Sequence, residues 1–313
     1  MTSQRSQKGR TTRRRFLCEA ACVIAAAQWP AAGQTPSPDP VIDIHQHTNY
    51  SGRTNEQLIA HQAAMGVTTT VLLPAGKFYG LDAGCGGNDT VLQLAKKFPG
   101  KFFFFANEVA DLPEAEAEIR RYLKLGAIGI GEQKFRVAVD SPSLAKIARI
   151  AEDLKVPILM HFQHGRYNTG IENMHKLLEK YPKVNFIGHA QTWWANVDAK
   201  PEQSILYPTT KVTPGGITDR LLRDYPNMFG DASAGSGLNF YKRDPEHARA
   251  FLDRHQDKLM FGSDCNDVAG EGVACDGSQI MAYIRKLAPN KNAERKILYE
   301  NAKRLLRLPL KRT

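Results

Sequence analysis

The sequence predicts an α/β fold, a closed (β/α)8 barrel of the TIM type in a single domain, and three observations carry that prediction. Eight short apolar runs alternate with helix-period segments from residue 41 to residue 306. Runs such as Phe102-Phe103-Phe104-Phe105 are apolar on both faces, as parallel strands covered on both sides must be. Eight strand–helix units in about 270 residues also match such a barrel in size and order. An open doubly wound sheet is the alternative, but no G-x-G-x-x-G follows the first run.

In chain order, strands are expected over 41–47, 68–74, 102–109, 127–134, 156–162, 184–190, 228–232 and 258–264. Helices are expected over 55–65, 89–98, 113–125, 143–154, 171–181, 218–225 and 245–254, with closing helices over 278–287 and 293–306. Two segments exceed ordinary connections, 191–216 and 265–277. Both follow strand ends, where barrels of this kind place active-site loops.

The first residues stand apart. Arg13-Arg14-Arg15-Phe16-Leu17 is followed by an apolar stretch from Cys18 to Trp29 and by Pro30-Ala31-Ala32-Gly33. Basic, apolar and small residues in that order describe a signal peptide of the twin-arginine kind over 1–34, with a Pro-rich linker over 35–40 and the barrel over 41–310. A periplasmic or secreted protein follows, delivered folded by the twin-arginine export machinery. The stretch carries Glu19 and falls short of the roughly 20 apolar residues of a membrane helix, and no lipobox-like cysteine follows it, so no stable membrane anchor is expected. A disordered basic tail is the plainer alternative.

The whole chain has 313 residues and a formal charge of +10. Six basic residues and one acid lie in the first 34, which leaves the mature chain about +5. No basic run interleaves with aromatics, so nucleic-acid binding has no support. Past the signal the cysteines are Cys85, Cys265 and Cys275. They permit one disulfide in an oxidising compartment, with the pairing left open.

The candidate chemistry sits at strand ends. Asp43-Ile44-His45-Gln46-His47 closes the first strand, with both histidines on one face because side chains alternate. The fourth strand ends Gly131-Glu132-Gln133-Lys134, the fifth Met160-His161-Phe162, the sixth Gly188-His189-Ala190 and the eighth Gly262-Ser263-Asp264. A barrel brings all of these to one rim. Neutral imidazoles and carboxylates are the ligand set of a divalent metal of the zinc type, one ion or two, and a carboxylate beside the metal can shuttle a proton. Satisfied core histidines are the alternative for any one of them taken alone.

With these motifs in order, the chain resembles the amidohydrolase superfamily, in particular the amidohydrolase-related group that also contains metal-dependent decarboxylases. The resemblance spans about residues 41–308 and includes the ending Leu298-Tyr299-Glu300-Asn301-Ala302-Lys303-Arg304-Leu305-Leu306. It implies that His45, His47, His161 and His189 bind metal and that Asp264 binds metal and moves protons. Ala127-Ile128-Gly129-Ile130-Gly131-Glu132 is similar to a strand-four motif in which glutamate bridges two metals. Lys134, two residues on, is the alternative bridge, and mononuclear relatives use neither. The implied activity is hydrolysis, with metal-bound hydroxide attacking an amide, ester or lactone carbonyl of a small molecule. Non-oxidative decarboxylation of a small aromatic or unsaturated acid is the rival within enzymes, and a non-catalytic secreted binding protein is the rival of another class.

Loop residues His164, Arg166, Trp193 and Lys77 are expected to meet a substrate, anionic in keeping with their charges. His61, His175, His247 and His255 fall within helical patterns and are expected at the surface or in packing. The oligomeric state is not specified by the sequence.

Overall fold

The structure, a computed structural model, describes residues 39–76 and 84–310. The signal expected over 1–34 and Lys77 lie outside the described residues. Among the described residues the expected strands are all found, all but the seventh shorter than expected: β1 (Ile42–Gln46), β2 (Thr69–Leu72), β3 (Phe102–Phe104), β4 (Ile130–Gln133), β5 (Ile158–His161), β6 (Phe186–His189), β7 (Met228–Ala232) and β8 (Leu259–Phe261). All ladders are parallel, β1-β2-β3 in one and β4-β5-β6-β7-β8 in the other, so each strand lies beside the next in sequence. Backbone hydrogen bonds bridge both seams. Ile128 N–H donates to the Phe104 carbonyl and Ala106 N–H to that of Gly129, both at 2.9 Å, while Asp264 N–H donates to the His45 carbonyl at 2.9 Å. The strand order, the seams and the helical layer are those of the expected (β/α)8 barrel.

The helices are α1 (Asn55–Ala64), α2 (Asn88–Lys97), α3 (Ala115–Lys124), α4 (Pro142–Leu154), α5 (Met174–Lys180), α6 (Gln191–Ala195), α7 (Ile217–Asp224), α8 (Ala234–Arg243), α9 (Pro245–His255), α10 (Asp276–Leu287) and α11 (Lys291–Arg295). A π-helical turn, Lys296–Glu300, leads into α12 (Asn301–Leu305). Local chemistry fixes several starts. Thr54 and Gln57 form a reciprocal capping box at α1, and Ser141 and Asp244 cap α4 and α9 just before a proline at the first helical position. Helices α6 and α8 lie where none is expected. The opening Ala234-Gly235-Ser236-Gly237 of α8 is a poor helix former. Tertiary packing overrides it, since Leu238, Phe240 and Tyr241 are buried and the Phe240 ring lies 4.7 Å from that of Trp194.

The core has two layers. Ile42, Ile44, Val71, Leu73, Phe105, Leu159, Ile187 and Met260 fill the barrel, and Tyr299, Ala302, Leu306 and Leu308 of the C-terminal segment pack against them. The alternate strand residues, among them Ile158, Met160, Phe186 and Phe261, face the helices. Two register shifts disturb this alternation. Asp43 pairs with Thr70 but Gln46 with Leu72, and Ile130 pairs with Ile158 but Gln133 with Met160. Each bulge gives its strand one extra residue and re-aims the side chains beyond it. In β1 the interior therefore receives Ile42 and Ile44 and then, without a skip, the His45 side chain.

Candidate metal centre

The bulges put His45, His47 and Glu132 over the barrel axis, where β5, β6 and the residues after β8 add His161, His189 and Asp264. Gly131, before Glu132, has φ +141°, and a Cβ there would stand 2.7 Å from the Leu159 carbonyl oxygen. Only glycine fits between β4 and β5 at that point. His45, His47, Glu132, His161 and His189 are all at most 4% exposed.

Hydrogen bonds assign the ring nitrogens. His47 Nδ1 lies 2.7 Å from the Leu73 carbonyl oxygen, which can only accept, so Nδ1 carries the proton and Nε2 keeps its lone pair. His45 Nδ1 lies 2.6 Å from Asp231 Oδ2 and is fixed in the same way. Ser233 Oγ donates to Asp231 Oδ2 at 2.9 Å and stands 2.9 Å from His189 Nδ1, whose N–H it accepts. In their neutral form three imidazoles thus turn an Nε2 lone pair to one point. His161 is turned round: its Nδ1 is 2.5 Å from Glu132 Oε1, and its Nε2 is 3.4 Å from Gln163 Oε1.

The facing atoms have the spacing of a coordination sphere. His45 Nε2 is 3.7 Å from Glu132 Oε2 and 3.6 Å from Asp264 Oδ1. His47 Nε2 is 3.6 and 3.4 Å from the same two oxygens, and His189 Nε2 is 3.7 Å from Glu132 Oε1 and 3.3 Å from Asp264 Oδ2. Ligand atoms about 2.0–2.2 Å from a zinc-type ion stand at roughly such distances from one another. His45 Nε2 and Asp264 Oδ1 are buried without any hydrogen-bond partner. A divalent cation satisfies both, and the donor set fits one. The atoms fall into two groups, His45 with His47 and Asp264, and Glu132 with His161 and His189, linked by a third of His45, His189 and Asp231.

Electrostatics agree. Burial opposes the charge on Glu132, yet Lys134 and His161 hold its carboxyl well below the usual range. Burial likewise opposes ionised Asp264, and His45 and His189 outweigh it. Burial pushes His161 down to about 4, so its ring is neutral near pH 7, the form that ligates a metal. For His45 and His47 burial again opposes charge, but Asp264 and Asp231 around His45, and Cys85 and Asp264 around His47, raise both pKa values, that of His47 to about 10. Without a cation each ring thus keeps at Nε2 a proton that a metal would displace. Such a buried excess of carboxylate is relieved by a cation.

The expected ligands His45, His47, Glu132, His161, His189 and Asp264 thus come together. Lys134 lies beyond β4, with its Nζ 5.8 Å from the Tyr167 ring centroid, and acts on Glu132 through its charge. His164 and Arg166 are exposed in the loop after β5, Arg166 over the Tyr167 ring. His164 and Gln163 share the wall of a cavity of about 630 Å³ with Asn168 and Thr192. Trp193 departs from expectation. It is fully buried, and its ring stacks on Phe162 and on the outer face of Gly188, where a Cβ would stand 2.5 Å from it. His189 points into the barrel, so its neighbour Gly188 faces the helices, and Trp193 belongs to that layer rather than to the rim.

Sequence reasoning missed Asp231 and Ser233, which fix His45 and His189. The signal was present as an aspartate on an apolar strand, with even spacing from the interior-facing Phe229. It also missed Tyr50, whose ring lies 4.9 Å from that of His47 and whose phenol is kept protonated by the charge of Asp264 and by burial. His255, expected in packing, pairs with Asp219, and His61 is buried beside Cys265 and Cys275.

Comparison with known proteins places this geometry. Solved structures with the same fold include an uncharacterized TIM-barrel protein from Bordetella bronchiseptica, at 18% identity and TM-score 0.62, covering 86% of this chain and 99% of that one. They include 2,6-dihydroxybenzoate decarboxylase from Rhizobium, at 14% identity and TM-score 0.54, covering 86% and 99%. Dihydroorotase from Campylobacter jejuni also matches, at 17% identity and TM-score 0.57, covering 87% and 85%. No curated protein matches the sequence. Residues 42–308 match the amidohydrolase family, members of which are typically metal-dependent, and this chain belongs to it.

Proposed function

We propose that this protein is an exported, metal-dependent hydrolase acting on an amide, ester or lactone carbonyl of a small molecule. One observation carries the reading: His45 Nε2 and Asp264 Oδ1 are orphaned, 3.6 Å apart, in a buried ring of further ligand atoms. A bound divalent metal supplies a Lewis acid and lowers the pKa of water toward about 7. The chain's own residues do the rest. His45, His47 and His189 hold Nε2 lone pairs toward one point, and Asp231, Ser233 and the Leu73 carbonyl keep them there. Asp264, ionised and 10% exposed at its side chain, takes a proton from the attacking water and returns one to the leaving group. His164, exposed in the wall of the neighbouring cavity, and Arg166, exposed two residues on in the same loop, receive an anionic part of the substrate, a role also proposed for Lys77.

A second reading has one observation in its favour. His161 Nδ1 lies 2.5 Å from Glu132 Oε1, a distance at which the two bond to each other instead of to a second ion. A mononuclear site of that kind suits non-oxidative decarboxylation, the reaction named for the Rhizobium neighbour. Elemental analysis of the purified protein, with a panel of lactones, amides, phosphoesters and aromatic acids in ¹⁸O-water, separates the two. Incorporation of label supports hydrolysis. Release of CO₂ without label supports the decarboxylase, and metal-free protein inert to every substrate supports a binding role.

Export by the twin-arginine route belongs to the same proposal and rests on the sequence of residues 1–34. Among the described residues no helix is long and apolar enough to cross a membrane. Replacing Arg13, Arg14 and Arg15 by lysine and following the protein in cell fractions tests it. Unchanged appearance of the protein outside the cytoplasm would sink this part.

A further inference from the structure

A second cluster of metal-ligating side chains lies behind the rim, where the loop after β8 crosses α1. His61, fully buried on α1, places its Nε2 3.3 Å from Cys265 Sγ, 3.5 Å from Cys275 Sγ and 3.0 Å from Asp267 Oδ2. The two sulfurs are 3.6 Å apart, and all four ligand atoms lie within 4.8 Å of one another. A disulfide has its sulfurs at about 2.05 Å. In a tetrahedral zinc site with Zn–S near 2.3 Å and Zn–N near 2.0 Å, simple geometry puts the sulfurs about 3.8 Å apart and sulfur from nitrogen about 3.5 Å. The observed sulfur–sulfur and sulfur–nitrogen separations lie within about 0.2 Å of the tetrahedral ones, and Asp267 Oδ2 at 3.0 Å from His61 Nε2 stands slightly inside its edge.

The surroundings hold the donors in place. Asp267 Oδ1 accepts the backbone N–H groups of Ala269 and Gly270 at 3.0 and 2.8 Å, which turns Oδ2 toward His61. Ser278 N–H donates to Cys275 Sγ at 3.3 Å, the kind of contact that stabilises a thiolate. Arg53 donates to the carbonyls of Cys265 and Asp267 at 3.0 and 2.8 Å and fixes the backbone between them. Gly270 has φ +73°, and a Cβ there would stand 2.2 Å from the His61 carbonyl oxygen, so the loop lies directly on α1. Cys275 is fully buried and Cys265 is 7% exposed.

We infer that His61, Cys265, Asp267 and Cys275 form a second divalent-metal site, closed, structural and of the zinc type, which fastens the loop beginning at Asp264 to α1. Four protein ligands from two elements complete a tetrahedron with no open position. On binding, each thiol releases its proton to solvent and no electron is transferred. Because Cys265 follows Asp264 directly, this ion steadies the carboxylate of the candidate catalytic centre from outside it. The inference does not depend on which reaction that centre performs.

Sulfur separates the two sites once Cys85→Ser has removed the thiol beside His47, since the ligands of the first are otherwise nitrogen and oxygen. The full chain with that substitution, purified under reducing conditions and titrated with zinc, should show sulfur at about 2.3 Å in its zinc X-ray absorption spectrum. The share of sulfur should rise in the His45→Ala, His47→Ala double variant, which weakens the first site alone. Cys275→Ser should lower the sulfur contribution by half or more. If Cys275→Ser does not fold, the double variant still carries the test. A zinc shell of nitrogen and oxygen only would overturn the inference. So would a mass two hydrogens lighter that is restored by reductant, which would show a Cys265–Cys275 disulfide.

Discussion

Two buried histidine–aspartate pairs, His45–Asp231 at 2.6 Å and His255–Asp219 at 2.5 Å, have almost the same geometry and different consequences. Asp231 takes Nδ1 of His45 and leaves Nε2 bare among carboxylates at the top of the barrel. Asp219 takes Nε2 of His255, shares its charge with Arg254 at 3.2 Å, and ties α9 to α7 in the outer layer. A buried histidine with a carboxylate partner is therefore no mark of a metal site in itself. The mark is the second nitrogen, unpartnered and aimed at further ligands.

The strongest way to break this comparison is to remove the bare nitrogens. His45→Ala with His47→Ala should abolish metal binding at the rim and all turnover, measured by elemental analysis and with the substrate panel, while the circular dichroism spectrum stays that of the folded barrel. Asp264→Asn is the finer cut. It keeps one oxygen for the metal but cannot accept a proton, so turnover should fall by about 10²–10⁴-fold with most of the metal retained. Unimpaired turnover in Asp264→Asn would show that the proton is moved by another group.

Asp231→Asn probes the partner instead of the ligand. An amide in that place can donate to His45 Nδ1 as well as accept from it, so the tautomer is no longer dictated and Nε2 loses its assured lone pair. Metal affinity or activity should drop by about 10–100-fold, with direct ligation intact. A competitive chelator titration against the parent protein reads the change. An affinity equal to the parent's would reduce Asp231 to a packing residue.

Why the sequence exposed the ligands and hid Asp231 has a physical explanation. Ligand-type residues at the ends of apolar runs stand out because burial of His, Glu or Asp there needs a reason, and His45, His161, His189 and Asp264 all met that test. The order of the strands followed from the alternation of two hydrophobic periods. The bulges in β1 and β4 did not follow, because an extra residue between Asp43 and Gln46 leaves no trace in the alternation of a segment as short as Val41 to His47. Trp193 looked like a loop residue at a strand end. That its ring would cover Gly188 depends on which face of β6 lacks a side chain, a tertiary fact. His61 gave a helical pattern and nothing more, since its partners lie more than 200 residues away.

The other half of the comparison predicts damage of a different kind. His255→Ala leaves the buried Asp219 with Arg254 as its remaining partner, and should destabilise the fold by about 1–3 kcal/mol in denaturant titrations. Metal content and substrate turnover of the folded variant should match the parent. Loss of metal in His255→Ala would mean that the outer pair is coupled to the rim.

The smallest effect lies in the acid range and concerns Asp219 alone. The hydrogen bond with His255 is the largest influence on its carboxyl, burial works against it, and Arg254 adds to it, with the net result that the folded pKa lies below the model-compound value of 3.8. A depressed folded value means that the unfolded chain binds the proton more readily. The pair's contribution is therefore fully present above the unfolded pKa and is lost as the pH falls through the folded one. Asp219→Asn removes that titration, so its stability deficit against the parent should be constant from pH 7 down to about 5 and should narrow below about pH 4. Denaturant midpoints of the two proteins at pH 7 and pH 3 measure the narrowing. A deficit that stays constant across that interval would show that the His255–Asp219 contact works by packing and not by charge, and the contrast with His45–Asp231 would then rest on geometry alone.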